Sequence, residues 1–160
     1  MDIIEELNLK VNIPHSLKLA LNHDMCECGQ REDFDSYLVA RGVHTKEEKR
    51  RSEENVMRHI ASAYGRRDVY DLWKEYEEGK TSESKFVRAV DKLEALVHMI
   101  QRGERGRNYD DADHIAFYAD RAVKDFPALI PFLREIKIKL KIMYERQGFP
   151  WKPEYNYPNI

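Results

Sequence analysis

The 160-residue sequence is short of cysteine, of long apolar runs and of net charge, and each shortage excludes a class of protein. Its apolar runs fall well below the roughly 20 residues that a membrane-spanning helix needs. Lys and Arg number 27 against 29 Asp and Glu, for a formal net charge of −2, whereas general nucleic-acid binders are more often strongly basic. We therefore expect neither a membrane nor a nucleic-acid polymer as a partner.

Cysteine occurs only as Cys26 and Cys28. A C-x-C pair can bind a metal, but we expect two reduced thiols, as in a cytoplasmic protein. The N-terminal residues Met1-Asp2-Ile3-Ile4-Glu5-Glu6 carry no basic region and no cleavage site, so we expect no signal peptide. Together these features predict a cytoplasmic location.

Helical spacing of apolar residues dominates what is present, and no stretch alternates as a strand would. Thr45 and Glu48 form a capping-box pattern, while Gly65 and Gly79 are stop signals. The pattern predicts helices over about 13–28, 46–64, 67–78, 83–102, 110–124 and 128–147. The fold expected is all-α: a single-domain helical bundle over residues 1–148, followed by a Pro- and aromatic-rich tail over 149–160 that lies over the body or against a second subunit.

One apolar run, from Leu19 to Glu27, contains His23, Asp24 and Glu27. On a helix over 13–28, these three side chains would project from one face, and the buried stripe would comprise Leu17, Ala20, Leu21 and Met25. Imidazole and carboxylate together suit a divalent metal, although a His-Asp pair by chance on a surface is the alternative. Asp91 is the acidic residue in the middle of the apolar helix 83–102, and two such helices suggest one shared site.

The order and spacing of several segments resemble the HD-domain phosphohydrolases, in particular the YfbR-like 5′-deoxynucleotidases. The matching segments are His23-Asp24 with Glu27, then Leu72-Trp73-Lys74-Glu75-Tyr76-Glu77-Glu78-Gly79, then Lys85-Phe86-Val87 and Asp91-Lys92-Leu93-Glu94. The resemblance implies a bundle of the HD-domain type and metal-dependent removal of phosphate from (deoxy)nucleoside 5′-monophosphates. It also implies a homodimer.

Carried over residue by residue, the resemblance makes His23, Asp24 and Asp91 ligands of a divalent metal, which would be Mn, Co, Mg, Zn or Fe. It makes Glu27 a catalytic residue. The family's Gly-Asp falls on Arg31-Glu32, so Glu32 takes the second catalytic role, with Asp33 beside it as a substitute. Substrate-binding residues are not identified: Lys46, Lys49 and Arg50 lie in a mixed charge run typical of a solvated helix face, and the sequence does not choose among them.

The family's first metal-binding His, on a helix well before His-Asp, has no counterpart here. His15 would lie about 12 Å from His23 along the same helix and does not replace it. Three explanations stay open: the true start of the protein lies upstream of Met1, another group such as His114 completes the site, or the site is impaired. The alternative function is accordingly a catalytically impaired HD domain that binds a nucleotide or a protein. A third hypothesis is another phosphohydrolase reaction on the same scaffold, such as attack on a triphosphate or an alarmone.

Overall fold

The computed structural model describes residue 4 and the ranges 7–29, 38–39, 41–102 and 112–156. Helices and turns make up these ranges, with no strand among them, so the predicted all-α class is confirmed. The α-helices are α1 (Ile13–Asn22), α2 (Lys46–Tyr64), α3 (Arg67–Glu78), α4 (Ser82–Arg102), α5 (Ala112–Phe117), α6 (Asp120–Asp125) and α7 (Ile130–Arg146). Short 3-10 helices span Met25–Gly29, Pro127–Leu129 and Pro153–Tyr155.

A capping box begins α2, and glycine residues end α2 and α3, where the sequence predicted them. The Thr45 hydroxyl accepts from the Glu48 backbone N–H at 3.1 Å, and the Glu48 carboxylate accepts from the Thr45 N–H at 2.8 Å. Gly65 follows α2 with φ +63°, and Gly79 follows α3 with φ +60°. These left-handed conformations favour glycine, which has no Cβ to clash with the backbone.

The predicted helix over 13–28 is wrong in its second half, because α1 ends at Asn22. The Asn22 side-chain amide donates to the Lys18 carbonyl at 2.7 Å, and His23 Nδ1 lies 2.7 Å from the Ala20 carbonyl oxygen. These side chains satisfy carbonyls at the helix end that have no backbone partner there. The chain then turns into the 3-10 helix Met25–Gly29.

The predicted buried stripe of α1 is also wrong. Leu17 and Leu21 are 53% and 79% exposed, whereas Ser16 and Leu19 are the buried residues of the helix. The face that packs is therefore offset from the one with the larger apolar side chains. Apolar spacing alone does not reveal such an offset, because it depends on which neighbour the helix meets.

Two compact units divide the chain, and each has its own buried residues. The unit Val11–Val87 contains α1, α2 and α3 around Cys26, Met57, Val69, Tyr70 and Trp73. The unit of Met1–Lys10 and Arg88–Ile160 buries, among others, Leu96, Leu133, Leu140, Tyr144 and Tyr155. The division into residues 1–148 and 149–160 stays a prediction.

The second unit departs from the sequence prediction at 110–124, where two short helices replace one. Helix α5 ends at Phe117, and the Tyr118 N–H donates to the Ile115 carbonyl at 3.2 Å, an i→i+3 bond that breaks the α-helical pattern. The predicted start of that helix at residue 110 lies outside the described residues. No helix in the described ranges is both long enough and apolar enough to cross a bilayer.

Candidate functional site

His23 is fixed at the end of α1 by contacts on three sides. Its Nδ1 lies 2.7 Å from the Ala20 carbonyl oxygen, and its Nε2 lies 2.9 Å from a carboxylate oxygen of Asp24. The ring packs against Tyr76 of α3 with 5.0 Å between ring centroids. The His23 side chain is 18% exposed and that of Asp24 is 61% exposed. The imidazole is therefore mostly buried, whereas the carboxylate of Asp24 faces solvent.

The contacts of His23 suit a metal ligand. A carbonyl oxygen can only accept, so Nδ1 carries the proton in the bond to Ala20. A carboxylate oxygen also only accepts, so the 2.9 Å contact between Nε2 and Asp24 requires a proton on Nε2 or a cation in its place. A ring nitrogen bonded to a backbone carbonyl typically fixes the tautomer of a metal-binding histidine in this way.

Glu27 lies one turn of 3-10 helix after Asp24. The Glu27 backbone N–H donates to the Asp24 carbonyl at 3.0 Å, and residues three apart in this geometry lie on the same side of the helix. The side chain of Glu27 is exposed. The shared face predicted for Asp24 and Glu27 therefore arises from 3-10 geometry and not from a continuation of α1.

Cys26, between these residues, points into the apolar core with Met57 and Trp73 and is 4% exposed. Burial raises the pKa of its thiol to about 12, with further contributions from Glu53, Glu27, Glu77 and Asp24 in that order. The thiolate is the form that binds metals, so this cysteine is a poor ligand at neutral pH. Both cysteines are free, and Cys28 is exposed.

Glu53 of α2 is a member of this region that sequence reasoning missed. Its side chain is only 8% exposed and lies 3.4 Å from the ammonium of Lys49. Burial raises the pKa of Glu53; Lys49 acts to lower it, and Glu77 and Glu27 act to raise it. The charge run that begins α2 is therefore not a uniformly solvated face, and the only sequence signal of the pair was its i,i+4 spacing.

Asp91 belongs to the other unit and is half-buried there. One of its carboxylate oxygens lies 2.9 Å from the ammonium of Lys92, which also donates to the Tyr118 hydroxyl at 3.2 Å. Burial lowers the pKa of Lys92, but Asp91 and Tyr118 outweigh it and the net shift is upward. The assignment of Asp91 to the ligand set stays a prediction from the sequence.

The remaining candidates have other neighbours or lie outside the described residues. His15 places Nε2 3.0 and 2.9 Å from the two carboxylate oxygens of Glu75. The ring of His114 meets that of Tyr118 edge-on at 5.5 Å. Glu32, Asp33 and Asp35 lie outside the described ranges, so the structure says nothing of the second predicted catalytic residue.

The described residues do not by themselves form a complete metal site. No group of three or more His, Cys, Asp or Glu side chains within them is arranged to hold a metal ion. His23 and Asp24 are donors of the right chemistry, but a catalytic metal centre generally uses three protein ligands. The pair fits part of such a site and leaves at least one ligand to be supplied.

Comparisons with known proteins agree with the sequence resemblance. A family model described as an HD domain matches residues 1–129. The 5′-deoxynucleotidase HDDC2 of Xenopus laevis is 36% identical over 98 residues, covering 59% of this chain and 46% of that protein. HDDC2 of Homo sapiens is 30% identical over 139 residues, covering 80% and 61%, and that of Dictyostelium discoideum is 31% identical over 99 residues, covering 60% and 50%.

The chain thus spans about half the length of the Xenopus and Dictyostelium relatives and 61% of the human one. No solved structure matches the chain significantly. The match to the family model covers most of the sequence and includes His23, Asp24, Glu27 and Asp91. This chain belongs to the HD domain family.

Proposed function

We propose that the chain is a metal-dependent phosphohydrolase that removes phosphate from deoxynucleoside 5′-monophosphates. The observation that carries the proposal is the fixed His23–Asp24 contact of 2.9 Å in a member of the HD domain family. The substrate class comes from the relatives, whose name is 5′-deoxynucleotidase.

The proposed ligands of the divalent metal are His23, Asp24 and Asp91. HD domains generally depend on a divalent metal ion, and Mn, Co, Mg, Zn and Fe all remain candidates here. The pair His23–Asp24 supports the first two ligands by its geometry, and the sequence resemblance supports the third. The described residues do not by themselves complete the site.

The reaction would consist of attack by water on phosphorus, with cleavage of the bond between phosphorus and the 5′ oxygen. We propose that Glu27 accepts the proton of the water, since its carboxylate is exposed one turn from Asp24. Glu32 would return a proton to the 5′ oxygen of the leaving nucleoside. The products are the nucleoside and inorganic phosphate.

The test combines elemental analysis with a substrate panel. Purified protein is assayed for bound metal, then for phosphate release from the deoxynucleoside 5′-monophosphates with each candidate metal and with a chelator. We expect bound divalent metal and turnover that the chelator abolishes. Phosphate release from nucleoside triphosphates alone would show that triphosphates, and not monophosphates, are the substrates. Nucleotide binding without any turnover would favour an impaired HD domain.

Variants then locate the activity. His23→Ala and Asp24→Asn should each lower kcat/KM by at least about 100-fold, a typical loss for a group that acts in the transition state. The matched controls are His59→Ala on α2 and Asp125→Asn on α6, because both side chains are exposed. Equal activity in the site variants and their controls would overturn the assignment.

We also propose a cytoplasmic homodimer. The free cysteines support a reducing compartment, and the sequence resemblance supports the dimer. Light scattering on the eluting protein would measure the mass of the assembly, and a mass of one chain at micromolar concentration would contradict the dimer.

A further inference from the structure

Three basic residues near the start of α2 were equivalent candidates for phosphate binding in the sequence, and the structure separates them. Lys46 is the first residue of the helix and is exposed. Arg50 is also exposed, and its guanidinium lies 3.7 Å from the exposed carboxylate of Glu47. Lys49 differs from both, because its side chain is 33% exposed and its partner Glu53 is buried.

Glu53 ties Lys49 to the region of Cys26. Lys49 is the charged group with the largest effect on Glu53, followed by Glu77 and Glu27. Glu53 is followed one turn later by Met57, which lies in one buried cluster with Cys26, and residues at i and i+4 lie on the same helix face. The face of α2 that carries Lys49 and Glu53 is therefore the one that belongs with the 3-10 helix Met25–Gly29, whereas Arg50 and Glu47 pair on the solvent side.

A phosphate monoester would meet an unfavourable potential in this region without a cation. Asp24, Glu27, Glu53 and Glu77 all act electrostatically on Cys26, and a dianion brought near these carboxylates is repelled. A lysine ammonium offsets this repulsion and binds phosphate oxygens as a compact positive charge. Among the three basic candidates, Lys49 is the one that lies on the same face of α2 as Glu53 and is partly buried.

Lys49 also retains capacity to bind. An ammonium has three N–H donors, and the described residues give Lys49 one acceptor, Glu53, at 3.4 Å. That distance exceeds the 2.7–2.9 Å typical of strong charge-assisted hydrogen bonds. A buried carboxylate at this distance restrains the ammonium without using its donors fully.

We propose that Lys49 binds the phosphate group of the nucleotide and that Glu53 is the positioning residue that holds Lys49. This inference rests on the proposed function and extends it, because it names a substrate-binding residue. The phosphate oxygens accept from the ammonium of Lys49, and the reaction at phosphorus proceeds as described above.

The experiment compares Lys49→Ala with Lys46→Ala, a lysine variant of the same helix at an exposed position. Steady-state kinetics on a deoxynucleoside 5′-monophosphate should show that Lys49→Ala raises KM by about tenfold or more, as loss of a hydrogen bond to a charged group would, while Lys46→Ala matches wild type. Glu53→Gln should raise KM by a smaller factor, and Lys49→Arg should restore part of the loss.

Inhibition constants separate phosphate binding from a structural role. The inhibition constant of inorganic phosphate should rise in Lys49→Ala, whereas that of the free deoxynucleoside should not change, since it lacks the phosphate. Equal effects on both inhibitors, or KM values equal to those of Lys46→Ala, would overturn the role of Lys49. Absence of turnover in the wild-type protein would instead refute the proposed function, and direct binding of inorganic phosphate by calorimetry would then still test Lys49.

Discussion

At the scale of single residues, the thiol of Cys26 is the most perturbed acid near the candidate site. Because burial raises its pKa to about 12, the reactive thiolate is scarce at neutral pH. We predict that iodoacetamide modifies Cys26 at least about 100-fold more slowly than the exposed Cys28, as measured by mass spectrometry of the two sites.

The same shift predicts a pH dependence of stability. The thiol has a higher pKa in the folded than in the unfolded chain, so its contribution to stability is complete below the ordinary value of 9.0 and is lost as pH rises toward about 12. Cys26→Ala should lack this alkaline component. In the iodoacetamide experiment, rapid modification of Cys26 in the folded protein would show that the residue is not buried.

Lys137 and Asp120 form a second residue-scale feature, an ion pair in the unit that contains α7. The Lys137 ammonium, 4% exposed, lies 2.7 and 2.9 Å from the two carboxylate oxygens of Asp120 and donates to the Ala116 carbonyl at 2.7 Å. Burial lowers the pKa of Lys137 and raises that of Asp120. Each charge therefore offsets part of the desolvation cost of burying the other.

We predict that Asp120→Asn lowers the free energy of unfolding by about 3–5 kcal/mol, because it removes the carboxylate that lies 2.7 Å from a buried ammonium. Urea denaturation measures the loss. Asp125→Asn, an exposed position on the same helix, should change stability by less than about 0.5 kcal/mol. The double variant Asp120→Leu, Lys137→Met should recover much of the lost stability. If Asp120→Asn instead destabilised the protein no more than Asp125→Asn does, the ion pair would be shown to be solvated.

At the scale of elements, helix ends were predictable where a cap lies within four residues of the end. Thr45, Glu48 and Gly65 set α2 through local contacts that the sequence displays directly. The end of α1 was not predictable in the same way, because Asn22 and His23 terminate it through side-chain bonds while the apolar run continues to Met25.

The same distinction between local and distant contacts applies to the candidate site. His23, Asp24 and Glu27 are neighbours in sequence, so a motif could locate them. Glu53 is buried on a helix that packs against α3 and the 3-10 helix Met25–Gly29, and a charge run gives no sign of which of its members is buried. The sequence therefore predicts the local part of the site and misses the residues that packing adds.

The capping box supplies a prediction for α2. Thr45→Ala should lower the free energy of unfolding by about 1 kcal/mol, since it removes the acceptor for the Glu48 N–H. Ser62→Ala, at an exposed position of the same helix, is the control and should not destabilise the protein. Chemical denaturation measures both.

The stability that the Glu48 carboxylate contributes to the capping box falls as pH falls. Bonds from the Thr45 backbone and hydroxyl hold the pKa of Glu48 below its usual 4.5, so the stabilisation is present at neutral pH and is lost as pH falls below that value and through the folded pKa. Thr45→Ala keeps the backbone donor but removes the hydroxyl that donates to the Glu48 carboxylate at 2.9 Å. The difference from wild type should therefore become smaller in acid, and a difference independent of pH would show that this hydroxyl does not stabilise the carboxylate.

At the scale of the whole molecule, part of the fold lies beyond the residues that match the family model. That match ends at residue 129, yet α7 and the tail contribute Tyr144 and Tyr155, which are 2% and 1% exposed. The Tyr155 hydroxyl donates to Asp113, and Lys152 lies 2.6 Å from the same carboxylate. Residues Lys152 and Tyr155 of the tail therefore pack into their unit.

The two tryptophans allow the cooperativity of the molecule to be measured, because Trp73 lies in one unit and Trp151 in the other. Helix α4 runs without interruption from Ser82 to Arg102 and contains the boundary at Val87. Opening one unit alone would end this hydrogen-bonded helix in its interior, where the freed backbone groups have no caps. We therefore predict one cooperative transition.

The test uses the single-tryptophan variants Trp151→Phe and Trp73→Phe. In each variant, the fluorescence midpoint in urea should equal the circular dichroism midpoint. Comparing the two midpoints within one variant corrects for any stability change that the substitution causes. A fluorescence midpoint that departs from the circular dichroism midpoint in either variant would show that the units unfold separately and would contradict the predicted single domain.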